Sequence, residues 1–210
     1  MGIIKRPKNR IFVLCNSELA EPYYFQDFKT YLNKVVRLNI AGRIIIPKRK
    51  EFLKKAPWDF IEAAIKFKEE EQRKGKFSEE DNDQIWLVFD VDNYWSDNEG
   101  KFSDGLKLAE ENGLNVAWSN ECFEFWFLCH FGNYSSSISR TDYHKKLAKH
   151  FKDEKLGKYE KNMKGIFEPL MPFQSTAIEN AKRLYVKDGV GNNPSTAVHL
   201  VVEELLRIFG

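Results

Sequence analysis

The chain has 210 residues, with 33 Lys and Arg against 31 Asp and Glu, and it is 30% charged and 14% aromatic. That length admits one large domain, or a domain with an elaborated tail, around a proper buried core, and the composition excludes a disordered chain. The net charge of +2 gives no global field toward nucleic acid, so any basic binding surface must be local.

No apolar run reaches the roughly 18 to 20 residues of a membrane span, and residues 1–8, a basic leader, lack the apolar core of a signal peptide. The expectation is a cytoplasmic protein without membrane contact. Arg6 stands where a myristoylation pattern needs Ser or Thr. Cys15, Cys122 and Cys129 include no C-x-x-C pair, which argues against a disulfide framework or a zinc finger and for buried thiols. The four histidines form no H-E-x-x-H or other close metal pair, so zinc hydrolase chemistry is not expected.

Residues 11–15, I-F-V-L-C, read as a strand buried on both faces. After the loop 16–22, Phe25, Phe28, Tyr31 and Leu32 recur at helical spacing, and Pro22 suits that helix's first turn. Residues 43–47 predict a short second strand, followed by the basic loop Lys48-Arg49-Lys50. Pro57 opens a second helix with Trp58, Ile61, Ala64 and Ile65 as its apolar stripe. Residues 85–90, I-W-L-V-F-D, are a third strand. Ser103 can cap a third helix that Gly113 ends at C′, and residues 114–118 predict a fourth strand. The order β-α-β-α-β-α-β, with crossovers long enough for parallel pairing, predicts an α/β fold on a four-stranded parallel sheet.

Residues 121–131 then read as a strongly apolar helix, with Phe123, Trp126, Phe127 and His130 on one face; burial in the core is the default for it, a homodimer interface the alternative. From Tyr134 the composition changes and no further strand is predicted. Helices are expected at 143–151, 175–186 and 195–209, the last with Asn193 as N-cap and Pro194 at N1. Residues 1–134 are thus expected to be the α/β core and 135–210 a helical elaboration packed on it.

Asp90 and Asp92 stand at the carboxyl end of the third strand, where open α/β sheets place ligands. Residues i and i+2 of an extended segment point the same way, so both carboxylates can aim at one point in the crevice. With no positive partner evident in the sequence, they suggest a hard cation such as Mg²⁺ between them; a solvated acidic turn is the competing reading. Glu124 is a carboxylate at the start of a nearly all-apolar helix, explicable as a ligand or by the helix macrodipole. Lys152, Lys155, Lys158, Lys161 and Lys164 recur around Tyr159, either to grip a phosphate backbone or as a solvated face. Ser119 and Asn120 could face a phosphate or cap the helix that follows. His199 reads as packed rather than as a proton shuttle.

Four segments, V-L-C-x-x-E-x-x-E-P-x-Y-F (13–25), F-D-V-D-N (89–93), S-N-x-C-F-E-F-W-F-L-x-H-F (119–131) and N-P-S-T-x-V-H-x-x-V-E-E-L-L (193–206), together resemble the RloB-like family. That family is encoded in bacterial restriction and phage-defence loci and looks like a branch of the Toprim superfamily. The resemblance implies a Toprim-like core with a helical carboxyl-terminal elaboration, Mg²⁺- or Mn²⁺-dependent nuclease chemistry on DNA or RNA, tRNA included, and an ATPase partner encoded alongside. It assigns the metal to Asp90, Asp92 and an acid of the first loop, with Glu124 as a further ligand or orienting group; on that chemistry a lysine such as Lys161 would neutralise the scissile phosphate. The family's first motif usually reads C-E-G-E-x-T-E-P. Here Asn16 replaces its first glutamate and Ser17 its glycine, and an amide neither carries charge nor accepts a proton at neutral pH. Either Glu18 or Glu21 substitutes within the loop, or the protein binds metal weakly, or it is a catalytically degenerate module that binds nucleic acid or the ATPase. A phosphotransferase built on the D-x-D is weakened because two β-α units precede that motif.

Overall fold

The computed structural model describes residues 7–36, 42–186 and 190–209. Residues 1–6, most of the basic leader, lie outside them. Among the described residues five strands, β1 (Ile11–Cys15), β2 (Ile44–Ile45), β3 (Gln84–Asp90), β4 (Asn115–Asn120) and β5 (Ser195–Thr196), form one sheet in the order β2-β1-β3-β4-β5. The first four pair parallel, and β5 joins β4 antiparallel. The helices are α1 (Ala20–Val36), α2 (Pro57–Arg73), α3 (Tyr94–Glu111), α4 (Glu124–Cys129), α5 (Arg140–Asp153), α6 (Phe167–Leu170), α7 (Gln174–Leu184) and α8 (Val198–Phe209).

The period-2 alternation of each strand divides the core into two layers. Ile11, Val13, Cys15, Trp86, Val88 and Ala117 face α1 and α4 to α8. Phe12, Leu14, Ile85, Leu87 and Phe89 face α2 and α3. Both faces are covered, which is why β1 and the centre of β3 read as continuous apolar runs. The helix at Phe123, Trp126 and Phe127 is buried, as are the three free cysteines. No helix among the described residues is long and apolar enough to cross a membrane.

Four expectations need correction. The sheet has five strands, not four, and it is not wholly parallel. The segment expected to open the last helix is instead β5: the Asn193–Pro194 peptide is cis, Ser195 and Thr196 pair with Asn120 and Ser119, and α8 starts only at Val198, whose N–H donates to Thr196 Oγ1 at 3.2 Å. The third helix begins at Tyr94 rather than near Ser103, because Tyr94 packs edge-on to Trp58 and Trp95 to Phe102, pinning a first turn ahead of a break at Asn98. The apolar helix begins at Glu124 rather than Glu121; the Glu121 carbonyl accepts the Asp92 N–H at 3.2 Å, which holds residue 121 beside the β3 loop.

Candidate functional site

From β1 the chain crosses to β2 on one side of the sheet, and from β2 it passes back over β1 to β3 on the other. The loops after β1 and β3 therefore diverge and leave a crevice at the carboxyl ends of the strands, the place where open α/β sheets bind ligands. A cleft of about 300 Å³ lies there, lined by Glu18, Glu21, Asp90, Glu124, Arg140 and Lys161 among others. An adjoining cleft of about 190 Å³ shares Glu21, Lys54 and Asp90 and adds Asn16 and Asp92. The carboxylates Glu18, Glu21, Asp90, Asp92 and Glu124 and the lysine Lys161, named from the sequence as catalytic candidates, thus border one connected crevice.

Their environments differ. Glu21, in the first turn of α1, is 2% exposed, and its Oε2 is buried without a hydrogen-bond partner. Burial first, then the Asp90 and Glu124 charges, push its carboxyl well above the usual range. Asp90 ends β3. Its Oδ1 accepts the Phe123 N–H at 2.8 Å, and its Oδ2 accepts a bond from Arg140 Nη2 at 2.9 Å. Desolvation, reinforced by Asp92 and Glu124, lifts the Asp90 carboxyl to about 7 despite Arg140. Asp92, at φ +47°, is also raised, by burial ahead of the opposing pull of Arg140. Glu18 is more than half exposed and stands 3.9 Å from the still more exposed Lys54, a pair worth little. Of the five spaced lysines Lys161 reaches the cleft, while Tyr159 is buried against Phe151 and cannot serve as a stacking platform for a base.

The positive partner not evident from the sequence is Arg140, the first residue of α5, whose Nη2 lies 2.9 Å from Asp90 Oδ2 and 2.6 Å from Asp92 Oδ1. The run Ser139-Arg140-Thr141-Asp142 matches an [ST]-x-x-[DE] helix start, and Ser139 Oγ donates to Asp142 at 2.8 Å. The helix therefore starts at Arg140, three residues ahead of the expected 143. Nothing local ties Arg140 to residues 50 positions away.

Other candidates have structural employment. Asn16 Nδ2 donates to the Lys55 carbonyl at 2.9 Å, and its Oδ1 accepts the Lys55 N–H at 3.1 Å. Ser119 Oγ lies 2.8 Å from Thr196 Oγ1, and Asn120 Nδ2 donates to the Val190 carbonyl, so both residues fasten the edge of the sheet instead of facing a phosphate. His199 is buried, its Nδ1 at 3.2 Å from the Thr196 carbonyl and its ring against Tyr185.

The donor set of four carboxylates suits a hard divalent cation, and the unpartnered Oε2 of Glu21 marks an acceptor without a donor. As the side chains stand, no three His, Cys, Asp or Glu residues among those described are close enough together to hold a metal ion; Arg140 sits between two of the candidates. A family model described as RloB-like protein matches residues 11–205, so the chain belongs to the RloB-like family. No curated protein and no solved structure matches it.

Proposed function

We propose that the protein is a metal-dependent nuclease of Toprim type, hydrolysing phosphodiester bonds of DNA or RNA, tRNA included, in a bacterial anti-phage system. The observation that carries this reading is the gathering of Glu21, Asp90, Asp92 and Glu124 at the switch point of the sheet, with cationic side chains on the rim. Carboxylates that raise one another's pKa are a strained arrangement that a divalent cation relieves. Asp90 and Asp92, with Glu21 and Glu124, would hold Mg²⁺ or Mn²⁺. When bound, such ions supply an activated water and charge stabilisation at the leaving oxygen.

The chain's own residues divide the remaining work. Phe123 N–H fixes the rotamer of Asp90 through Oδ1 and leaves Oδ2 for the ligand. Glu21, sealed beneath the cleft, takes the role of the first-loop acid that Asn16 cannot fill. Glu124 orients the attacking water or completes the ligand set, and Lys161 at the rim neutralises the phosphate. A second reading, a non-catalytic module that binds nucleic acid or an ATPase partner, is favoured by one observation: the amide of Asn16 is fully used on the backbone of Lys55.

Cleavage of plasmid DNA and of total tRNA, with Mg²⁺ or Mn²⁺ and beside the Asp90→Ala, Asp92→Ala double variant, separates the two. Metal-dependent cleavage that disappears in the variant is the expected result. Retained nucleic-acid binding without cleavage by the wild type would favour the non-catalytic module instead.

A further inference from the structure

Arg140 holds the two atoms that a cation between the aspartates would need. Asp90 Oδ1 is committed to the Phe123 N–H, which leaves Oδ2, and Oδ2 is the oxygen that Arg140 contacts. The same guanidinium nitrogen touches Asp92 Oδ1 at 2.6 Å. A positive charge cannot share those oxygens with Mg²⁺ or Mn²⁺ at such distances, so occupancy by the guanidinium and by the cation is mutually exclusive. The Arg140 side chain is 46% exposed and stands at the very start of α5. It can therefore leave the aspartates without opening the core, and on leaving it remains at the rim of the cleft that it lines. A guanidinium fork released there matches the geometry of a phosphate group.

From this we infer that Arg140 is an ionic latch: it neutralises Asp90 and Asp92 while the cation is absent, yields those oxygens when the cation enters, and then binds a phosphate of the nucleic-acid strand. The inference rests on the cation reading of the site given above. It makes cation loading and substrate binding cooperative, because the residue displaced by the first is recruited by the second. It also gives α5, which carries Arg140 at one end and packs on the core through Tyr143, Leu147 and Phe151, control over whether the aspartates are available.

Titration of the full chain with Mn²⁺ alone by calorimetry, for wild type, Arg140→Gln and Arg140→Lys, tests the latch. A labelled oligonucleotide titrated in Ca²⁺ tests the phosphate contact. Arg140→Gln should bind Mn²⁺ about tenfold tighter, the scale of losing two half-exposed ion pairs, and bind the oligonucleotide several-fold more weakly. Arg140→Lys keeps a competing charge but lacks the fork, so its Mn²⁺ affinity should stay near wild type while its oligonucleotide affinity falls. Unchanged or weaker Mn²⁺ binding by Arg140→Gln, with the wild type binding Mn²⁺ normally, overturns the latch and leaves the nuclease reading intact. Tighter Mn²⁺ binding with unchanged oligonucleotide affinity overturns the phosphate contact. Absence of Mn²⁺ binding by all three proteins removes the cation reading, and the latch with it.

Discussion

Asn16 spends both ends of its amide on the backbone of one residue, Lys55, and so fastens the β1 loop to the segment that leads into α2. A glutamate there has no N–H to give the Lys55 carbonyl. Asn16→Glu should cost about 1–3 kcal/mol in urea unfolding and bring no gain in cleavage; a faster enzyme of unaltered stability would mean that position 16 lacks a carboxylate after all. The neighbouring acids carry a pH signature. Burial, with the charges of Asp92 and Glu124, raises the Asp90 carboxyl to about 7, so the folded protein keeps a proton there that the unfolded chain releases above about pH 4. That contribution to stability is complete below about pH 4 and is lost as the pH rises through about 7. In the metal-free protein, wild type should lose stability relative to Asp90→Asn across this window, by at most about 1.4 kcal/mol per pH unit. Parallel unfolding profiles for the two proteins would show that Asp90 is ionised throughout.

At the scale of elements, the site depends on how β4 is finished. Thr196 Oγ1 donates to the Trp118 carbonyl at 3.2 Å, accepts the Val198 N–H, and lies 2.8 Å from Ser119 Oγ, all within a buried environment. One hydroxyl thereby joins β4, β5 and the start of α8. Thr196→Val strands its partners and should cost about 1–3 kcal/mol. Adding Ser119→Ala should recover part of that loss, since an apolar pair leaves fewer buried groups unsatisfied; additive losses in a double-mutant cycle would show that the two hydroxyls do not communicate. The same edge leads into Glu121 and Phe123, which are tied to the aspartates through the Asp92 N–H to Glu121 carbonyl bond and the Phe123 N–H to Asp90 bond. A strand of two residues thus supports the placement of the crevice carboxylates Asp90 and Asp92. Helix α3 ends as its sequence requires, with Gly113 at φ +62°, the left-handed position that favours glycine.

Across the whole molecule the two ends of the sheet use Arg–Asp pairs in opposite ways. At the amino-terminal end, immediately before β1 and β3, Arg10 grips Asp83 through its backbone N–H, Nε and Nη2, and Asp83 also accepts the Ser78 N–H. Both side chains are buried, at 7% and 0% exposure, and every oxygen is satisfied, so this pair holds the register of two strands. At the carboxyl-terminal end the Arg140 pair is half in solvent and lines the same cleft as Glu21, whose Oε2 has no hydrogen-bond partner. Asp83→Asn should cost about 3–5 kcal/mol, the scale of breaking a buried pair, while leaving the Mn²⁺ affinity of the folded protein unchanged. A loss of Mn²⁺ affinity at full folded population would show that the two ends are coupled.

What the sequence determined by itself is local. Runs of five or more apolar residues mark β1 and β3, because a strand covered on both faces has no polar side to show. Crossovers long enough for a helix make β1 to β4 parallel, and parallel strands put the residues that follow them, Glu18, Glu21, Asp90 and Asp92, at one end of the sheet. Glu124 stood out as a carboxylate at the start of an apolar helix, and Lys161 as one of five spaced lysines. Tertiary structure decided the rest: the burial of Glu21 beside Asp90, the use of the Asn16 amide, the strand β5, and the placing of Arg140 between the aspartates. Ser119 meets Thr196 across 77 positions, and Asp90 meets Arg140 across 50. Such meetings leave no periodicity in the chain; they follow from which helix packs on which face of the sheet.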